Sequence, residues 1–395
     1  MAKFIFIVPP FMGHIGPTLS IGSELIHKGH RVAWTSVVEL AEHLIPKGGE
    51  QIVSEKELAG NENEIKDMLE KVNAGKQGAP LESLKFIYED VLVPMNRYMV
   101  PGVSRILDEY KPDVVINDLQ AFSGAICAYL KKIHYATSIT TPVGVFEAMG
   151  LQKVTEWENN QVIGLQKEFG ITEERKIINS KYLNLVYCPL DFLNPTDLPD
   201  NFQFVGPSIK NRPSVGFDWD ALTKSKYPKI MVSLGSLLKG ERKDFFTKII
   251  DAFGEKPYTV VAVVEKDLFH NWPSNFIVQL PVPMMELLQY MDVVISHAGP
   301  NTVLETLSFG LPLIVVPMLY DQYHIASQVE YSGTGIRLKN KRINAGLLND
   351  ALTNILMDNK YREAAKKMKA ILDAAGGTER AAELLEEFAT KSKAI

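Results

Sequence analysis

The sequence predicts an α/β protein with two domains, each built around a parallel β-sheet. Short β-rich runs alternate with helical patterns along the chain, as expected for parallel strands joined by helical crossovers. The alternation recurs in both halves, and 395 residues exceed what one hydrophobic core usually organises. We therefore expect two sheets of similar size facing a central cleft, with a ligand at the carboxyl ends of the strands.

In the first half, apolar runs between turn residues predict the strands. Pro17 lies where the first turn of a helix tolerates proline, and Gly29 marks the end of that helix. Residues 52–100 carry charged helical patterns without strand signals. The predicted strands are Lys3–Val8, Arg31–Thr35, Val114–Asn117 and Tyr135–Ile139.

The second half repeats the pattern more clearly, and after residue 344 only helical patterns remain. The predicted strands are Ile230–Leu234, Thr259–Val264, Phe276–Gln279, Val293–Ser296 and Pro312–Val316. Residues 206–226 contain prolines and glycines but no convincing element, which is typical of a linker. The predicted domains are residues 1–205 and 227–378, with a charged helix over residues 379–395.

The composition is that of a water-soluble globular protein, with 46% hydrophobic residues, 23% charged residues and a net charge of −5. A mildly acidic chain has no general attraction to nucleic acid or to anionic membranes. No run approaches the ~20 apolar residues of a membrane span, and Phe4–Val8 is too short for a signal peptide. Cys127 and Cys188 are interpreted as reduced thiols, with a single disulfide as the alternative. We expect a cytoplasmic protein without integral membrane association, and its oligomeric state stays open.

The segment over residues 296–322 is the most informative part of the chain. An apolar strand leads into a His-Ala-Gly turn, and Asn301 and Thr302 then begin a helix. A helix N-terminus offers backbone N–H groups and the positive end of the helix dipole, which suit a phosphate. The turn adds the imidazole of His297, and the predicted ligand is therefore a diphosphate. Gly235 and Ser236 follow another strand and supply a second wall for the same phosphates.

A possible acid–base pair is predicted in the first half. The loop after the first strand lacks the GxGxxG spacing, which disfavours a nicotinamide or flavin dehydrogenase. It places His14 beyond a strand end, where a histidine can act as a general base or can simply bond the backbone. Asp118 ends a later strand on the same sheet edge. Its carboxylate can orient the imidazole, or cap the next helix, or do both.

Four segments resemble the family 1 UDP-glycosyltransferases in the family's order. They are GHIGP at 13–17, FVGPS at 204–208, VSLGS at 232–236 and SHAGPNTVLETLSFGLPLIVVPMLYDQ at 296–322. Within the family, the chain most resembles the bacterial macrolide and zeaxanthin glycosyltransferases. The resemblance implies the GT-B fold, with two Rossmann-like domains and a C-terminal helix that crosses back to the N-terminal domain.

The resemblance also implies residue roles. His14 resembles the general base that deprotonates the acceptor hydroxyl, and Asp118 resembles its orienting partner. The residues implied to bind the nucleotide sugar are Gly235, Ser236, Val282, His297, Gly299, Asn301, Thr302, Glu305, Asp321 and Gln322. Within this set the diphosphate contacts are His297, Asn301 and Thr302, the ribose contact is Glu305, and the sugar contacts are Asp321 and Gln322.

These roles imply an inverting, metal-independent transfer of a hexose to a hydroxyl group, without a cofactor other than the donor. Glucose from UDP-glucose is the default donor. The family's tryptophan, which stacks on uracil, is absent from residues 281–284, and Pro300 replaces a bulkier residue. A dTDP-sugar therefore stays an alternative.

The expected acceptor is a hydrophobic small molecule, such as a polyketide, flavonoid or carotenoid. Met and Phe side chains at 84–99, with Phe146, Met149 and Trp157, either line its pocket or belong to the core. Two other functions remain open at this point: a nucleotide-sugar 2-epimerase of the same fold, and a non-catalytic binding module. No Cys/His spacing suggests a metal, and the DxD string Asp218–Asp220 is interpreted as structural.

Overall fold

The chain folds into two compact α/β units. The computed structural model describes residues 1–54, 62–74, 80–140, 151–192, 198–209, 215–235, 240–319 and 321–392. The first unit combines Met1–Val72, Lys76–Arg212 and Ala375–Ile395, and the second combines Asn73–Gly75 with Pro213–Ala374. No helix in the described ranges has the length and apolarity needed to cross a bilayer.

The first unit contains a seven-stranded parallel sheet in the order β3-β2-β1-β4-β5-β6-β7. Its strands are β1 (Lys3–Ile7), β2 (Arg31–Thr35), β3 (Glu50–Gln51), β4 (Val114–Asp118), β5 (Tyr135–Ile139), β6 (Leu183–Val186) and β7 (Phe202–Phe204). The central strands β4 and β5 are buried along their whole length, as expected for a parallel sheet covered on both faces.

Helices and one π-helical segment surround this sheet. The helices are α1 (Met12–His27), α2 (Glu62–Ala74), α3 (Pro80–Lys85), α4 (Val93–Tyr110), α5 (Phe122–Leu130), α6 (Gln152–Glu168) and, after the second unit, α14 (Gly377–Ser392). Residues Phe86–Leu92 form a π-helix between α3 and α4. Apolar side chains of β1, β2, β4 and α1 share one core cluster with α14.

The second unit contains a six-stranded parallel sheet in the order β10-β9-β8-β11-β12-β13. Its strands are β8 (Lys229–Ser233), β9 (Thr259–Val263), β10 (Phe276–Val278), β11 (Val293–Ser296), β12 (Leu313–Val315) and β13 (Gly335–Arg337). Its helices are α7 (Trp219–Lys224), α8 (Arg242–Phe253), α9 (Met284–Leu288), α10 (Pro300–Ser308), α11 (Gln322–Tyr331), α12 (Ala345–Met357) and α13 (Lys360–Ala375).

Four strands have no counterpart in the sequence prediction: β3, β6, β7 and β13. Each contains a polar residue or a glycine, as in EQ, LNLV, FQF and GIR, which interrupts the apolar run that predicts a strand. The buried strand β6 also carries Asn184, whose amide donates to the carbonyl of Ser180. A polar residue in a central strand weakens the apolar signal, and here a backbone partner makes its burial acceptable.

The predicted linker over residues 206–226 contains structure. The helix α7 lies in this stretch, and its Leu222 is fully buried in a core cluster of the second unit. Asp218 caps the helix by accepting a hydrogen bond from the N–H of Ala221 at 3.1 Å. A single buried leucine in six residues is too little for a sequence pattern to reveal, so the expectation of no secondary-structure element in this stretch is wrong over Trp219–Lys224.

The C-terminal helix α14 packs on α1 within the first unit. Leu385 is fully buried in the core cluster, and Glu386 pairs with Lys28 at 2.7 Å and with His30 at 2.9 Å. Residues far apart in the chain therefore complete one core. The two parallel sheets, each with helices, confirm the predicted α/β fold class.

Candidate active site

His14 lies just beyond the carboxyl end of β1, in the first turn of α1. Its backbone N–H donates to the carbonyl of Phe11 at 2.8 Å, which starts the helix. Strand β4 is the neighbour of β1, and the register pairs Ile7 with Asn117. Asp118, the next residue, therefore reaches the same edge of the sheet beside His14.

The structure brings His14 and Asp118 into direct contact. His14 Nδ1 lies 2.9 Å from Asp118 Oδ1, and the Asp118 side chain is fully buried while that of His14 is 11% exposed. Asp118 Oδ1 also accepts from the N–H of Gln120 at 2.8 Å, and Oδ2 accepts from Thr140 Oγ1 at 3.0 Å. Asp118 thus binds the imidazole and the backbone N–H of Gln120. It does not cap α5, because the N-cap residue of that helix is Ala121 and no side chain caps it.

This pairing selects the ring tautomer of His14. An ionised carboxylate only accepts hydrogen bonds, so the proton of a neutral imidazole resides on Nδ1. Nε2 then carries a lone pair that can take a proton from a hydroxyl group. A buried carboxylate behind the ring stabilises the imidazolium that such a transfer creates.

In the second unit, His297 occupies a tight turn between β11 and α10. Ala298 has a left-handed backbone with φ of 66°, a strained conformation for a residue other than glycine. Its N–H donates to Ser296 Oγ at 3.1 Å, which helps to hold the turn. A Cβ built on Gly299 would lie 2.6 Å from His297 Nε2, and one on Gly235 would lie 2.8 Å from its Cε1. Both positions therefore require glycine because the imidazole contacts them.

The first turn of α10 starts directly after this histidine. Pro300 occupies the first helical position, where a missing N–H has no cost, and the turn contains no acidic residue. Asn301 and Thr302 follow and are partly exposed. Helix N–H groups and the dipole favour an anion here, and no carboxylate of this turn competes for them. Glu305 lies one helical turn further on and is 4% exposed.

His297 is uncharged in this environment. Burial lowers its pKa to about 4, and the backbone of Ser233 only partly opposes this shift, since Nδ1 forms no well-aligned hydrogen bond. A neutral imidazole offers one N–H as a hydrogen-bond donor rather than a full charge. The local positive potential at neutral pH therefore comes from the helix terminus and not from the ring.

The Asp-Gln pair follows β12. Gln322 begins α11 and is 4% exposed, and its Oε1 accepts from the N–H groups of Met318 and Leu319, both at 2.9 Å. These bonds fix the side-chain amide so that its NH2 group provides the donors for any further contact. Asp321 is partly exposed at the position preceding the helix.

Val282 and Ser236 are the remaining residues predicted to bind the nucleotide sugar. Val282 follows β10, is partly buried and packs on a core cluster of the second unit. Ser236 lies outside the described residues. Because the sheet is parallel, the residues after β8, β10, β11 and β12 share its carboxyl edge. Direct contact is seen for Gly235, His297 and Gly299.

Two residues near the site were missed by the sequence analysis. Thr140 follows β5 and contacts both His14 and Asp118. The strand-end rule that identified Asp118 applies to Thr140 equally. Arg242 is 4% exposed, pairs with Glu265 and donates to the carbonyl of Gly235 at 3.1 Å. A buried arginine near a glycine turn has no local sequence signal.

The DxD string has local structural roles. Asp218 caps α7, and Asp220 pairs with Lys224 at 2.7 Å on the same short helix. Within the described ranges, no group of three or more His, Cys, Asp and Glu residues is arranged to hold a metal ion.

Two Rossmann-like sheets, one carrying a buried His–Asp pair and the other a histidine turn at a helix N-terminus, are the architecture of a GT-B protein. A family model described as "Erythromycin biosynthesis protein CIII-like, C-terminal domain" matches residues 248–387. The NDP-glycosyltransferase YjiC of Bacillus subtilis (strain 168) is 28% identical, over 97% of this chain and 96% of the relative. The demethyllactenocin mycarosyltransferase of Streptomyces fradiae is 25% identical, over 98% and 86%.

Solved structures agree at the level of the fold. The kitacinnamycin glycotransferase superposes with a TM-score of 0.78 at 22% identity, covering 98% of both chains. The calicheamicin glycosyltransferase CalG4 also gives 0.78, at 21% identity and 98% coverage of both chains. The chain thus has the GT-B fold and resembles the family 1 glycosyltransferases, among them the bacterial macrolide enzymes. This confirms the resemblance inferred from its motifs.

Proposed function

We propose that the protein is an inverting glycosyltransferase that moves a hexose from a nucleoside-diphosphate sugar to a hydroxyl of a hydrophobic small molecule. The observation that carries this proposal is the buried His14–Asp118 pair, whose 2.9 Å contact leaves Nε2 as the proton acceptor. A non-catalytic binding module would have no need for such a pair. The names of the relatives support transfer to natural products, and the acceptor class of this chain is part of the proposal.

The donor diphosphate binds at the N-terminus of α10 in this proposal. His297, Asn301 and Thr302 provide side-chain contacts in addition to the helix N–H groups. Gly235 and Gly299 leave room for the imidazole and let the backbone approach the phosphates. Glu305 binds the ribose, and Ser236, which lies outside the described residues, is assigned a further phosphate contact on the family resemblance alone.

The sugar and the nucleobase of the donor are bound at the carboxyl edge of the same sheet in the second unit. The fixed NH2 group of Gln322 donates to a sugar oxygen, and Asp321 accepts from a sugar hydroxyl. This supports glucose as the transferred hexose without selecting it over its epimers. Val282 provides an apolar surface for the base, which suits uracil or thymine, so UDP-glucose is the proposed donor and a dTDP-sugar the alternative.

An apolar acceptor is supported by an aromatic cluster in the first unit. The ring of Tyr88, in the π-helix, lies 6.4 Å from that of Phe122 and 5.7 Å from that of Trp157. Phe122 begins α5, four residues after Asp118, so the cluster lies at the same sheet edge as the general base His14. Tyr88 and Trp157 are partly exposed and present aromatic surface. Phe146 and Met149, also proposed from the sequence, lie outside the described residues.

The chemistry is a single displacement. The acceptor oxygen attacks the anomeric carbon while its proton moves to His14 Nε2, and the bond from that carbon to the diphosphate oxygen breaks. Attack opposite the leaving group inverts the configuration. Asp118 stabilises the imidazolium, and the N–H groups of α10 stabilise the charge that develops on the leaving diphosphate. No step requires a metal ion.

The test combines a substrate screen with one variant. UDP- and dTDP-sugars are incubated with phenolic, polyketide and carotenoid alcohols, and products are detected by mass spectrometry. Transfer should occur in the wild type and fall by about a hundredfold or more in His14→Ala, given the usual contribution of a general base. His27→Ala, an exposed position on the same helix, is the matched control.

Two outcomes would contradict the proposal. Full turnover in His14→Ala would remove the histidine from its role. An epimerised sugar formed from donor alone, without transfer to any acceptor, would favour the 2-epimerase.

A further inference from the structure

Thr140 is the third member of the buried group formed by His14 and Asp118. It follows β5 and is 8% exposed. Its Oγ1 lies 2.7 Å from His14 Nδ1 and 3.0 Å from Asp118 Oδ2. All three side chains therefore touch one another, although His14 comes from the helix that follows β1, Asp118 from the end of β4 and Thr140 from the residue after β5.

The hydroxyl of Thr140 donates a hydrogen bond to one of its two partners and accepts one from the other. Thr140 Oγ1 has a single proton, and the Asp118 carboxylate can only accept, so that proton points to Oδ2. The contact with the imidazole must then use an oxygen lone pair of the threonine. Nδ1 of His14 therefore donates to Thr140 and to Asp118 Oδ1 together, which requires the tautomer protonated at Nδ1.

We propose that Thr140 is a positioning residue that fixes the plane of the Asp118 carboxylate and thereby the orientation of the His14 imidazole bonded to it. Asp118 Oδ1 already has two donors, His14 and the N–H of Gln120. Thr140 gives Oδ2 its own donor, so the carboxylate cannot rotate without breaking a bond. The kinetic consequence rests on the proposed function, whereas the orientation of the His–Asp pair does not.

Threonine suits this position better than serine does. Its β-branched side chain has few allowed χ1 rotamers, so the methyl group keeps the hydroxyl in place. Ser138, two residues upstream on β5, makes a different contact, because its Oγ lies 3.0 Å from the hydroxyl of Tyr187. Thr140, directly after the strand, therefore carries the hydroxyl that contacts both members of the His–Asp pair.

The test compares Thr140→Val, which removes the hydroxyl and keeps the shape, with Thr140→Ser, which keeps the hydroxyl. Thr137→Val is the matched control, because Thr137 is a buried threonine of the same strand that donates to the Ile178 carbonyl. The ring nitrogens are observed by NMR of protein labelled with ¹⁵N-histidine. The chain has eight histidines, and a His14→Asn variant assigns the His14 signals.

The wild type should show a protonated Nδ1 and an unprotonated Nε2 on His14. Thr140→Val should keep the Nδ1–H tautomer that Asp118 selects, but it should change the chemical shift of His14 Nδ1 because one of the two acceptors of that N–H is lost. It should also lower kcat about tenfold, the effect of losing one buried hydrogen bond. The KM for the donor should stay unchanged. Thr140→Ser should restore the wild-type spectrum and most of kcat, and Thr137→Val should alter neither quantity.

An unchanged His14 spectrum in folded Thr140→Val would overturn the proposal. So would a rise in donor KM with kcat unchanged, because the hydroxyl would then bind ligand instead. If the wild type transfers no sugar at all, the proposed function fails but the NMR comparison still decides the role of Thr140.

Discussion

Gly299 lies so close to the imidazole of His297 that any larger residue would have to displace the ring. A Cβ at position 299 would be 2.6 Å from Nε2, well inside van der Waals contact. The backbone of Gly299 has φ of −62° and ψ of 133°, which any residue can adopt. The requirement for glycine here is therefore steric and comes from the histidine alone.

Gly299→Ala should displace the His297 ring and the first turn of α10. We expect the affinity for UDP to fall by about tenfold or more, since one or two hydrogen bonds to the diphosphate would be misplaced. Isothermal titration calorimetry measures this directly. Gly216→Ala is the control, because a Cβ there meets nothing within 4 Å. Equal affinities in both variants would contradict the assigned phosphate site.

The stability of the second unit should depend on pH through His297. Its pKa falls from 6.5 to about 4 on folding, so the unfolded chain binds more protons between these values. Stability from this group is complete above pH 6.5 and is lost as the pH falls toward 4, by roughly 3 kcal/mol. Urea unfolding between pH 4 and 7 should show a shallower dependence for His297→Gln. Identical slopes in the variant and the wild type would refute this.

Gln322 can be tested by separating its two hydrogen-bonding roles. Gln322→Glu keeps an acceptor for the N–H groups of Met318 and Leu319 but removes the NH2 donors. The variant should fold with a similar melting temperature and bind UDP normally. Its kcat/KM for sugar transfer should fall by roughly tenfold to a hundredfold, the effect of losing a buried hydrogen bond to the sugar. Gln322→Met, which loses the acceptor as well, should also lower the melting temperature.

The C-terminal helix should contribute to the stability of the first unit mainly through apolar packing. Leu385 is fully buried in the core shared with α1, so Leu385→Ala should destabilise the protein by about 3 kcal/mol. Glu386 is partly exposed, and Glu386→Gln should cost less than about 1 kcal/mol despite its ion pairs with Lys28 and His30. Chemical denaturation compares the two variants. A larger effect for Glu386→Gln would show that charge, not packing, holds the helix.

The positions of strand ends in the sequence predicted the pairing of His14 and Asp118 in the candidate site. His14 and Asp118 are 104 residues apart in the chain, yet the rule that parallel strands place their carboxyl ends together predicted their proximity. The rule predicts which edge of the sheet a residue reaches, but it does not predict which side chains touch there. Thr140 satisfies it equally, but only the side-chain distances in the structure show that its hydroxyl reaches both partners.

Short and polar elements escaped prediction for a different reason. Strand β6 is stabilised by its two neighbours in the sheet rather than by its own pattern, and α7 depends on one buried leucine. Their stability is therefore tertiary. Strands β1 and β11 carry apolar runs of their own, and the sequence predicted them within one residue. Helix α1 begins at Met12, so Pro17 lies inside it and not in its first turn as predicted.

The amino-acid sequence by itself determined the fold class, the family resemblance and the edge of each sheet where ligands would bind, because these follow from local periodicity and contiguous motifs. The tertiary structure decided which atoms meet. It paired Nδ1 of His14 with Asp118, turned the acceptor atom of Gln322 toward its own backbone and buried His297 between two glycines. Hydrogen bonds and desolvation act over a few ångströms between residues far apart in the chain, and only the register of neighbouring strands brings such residues that close.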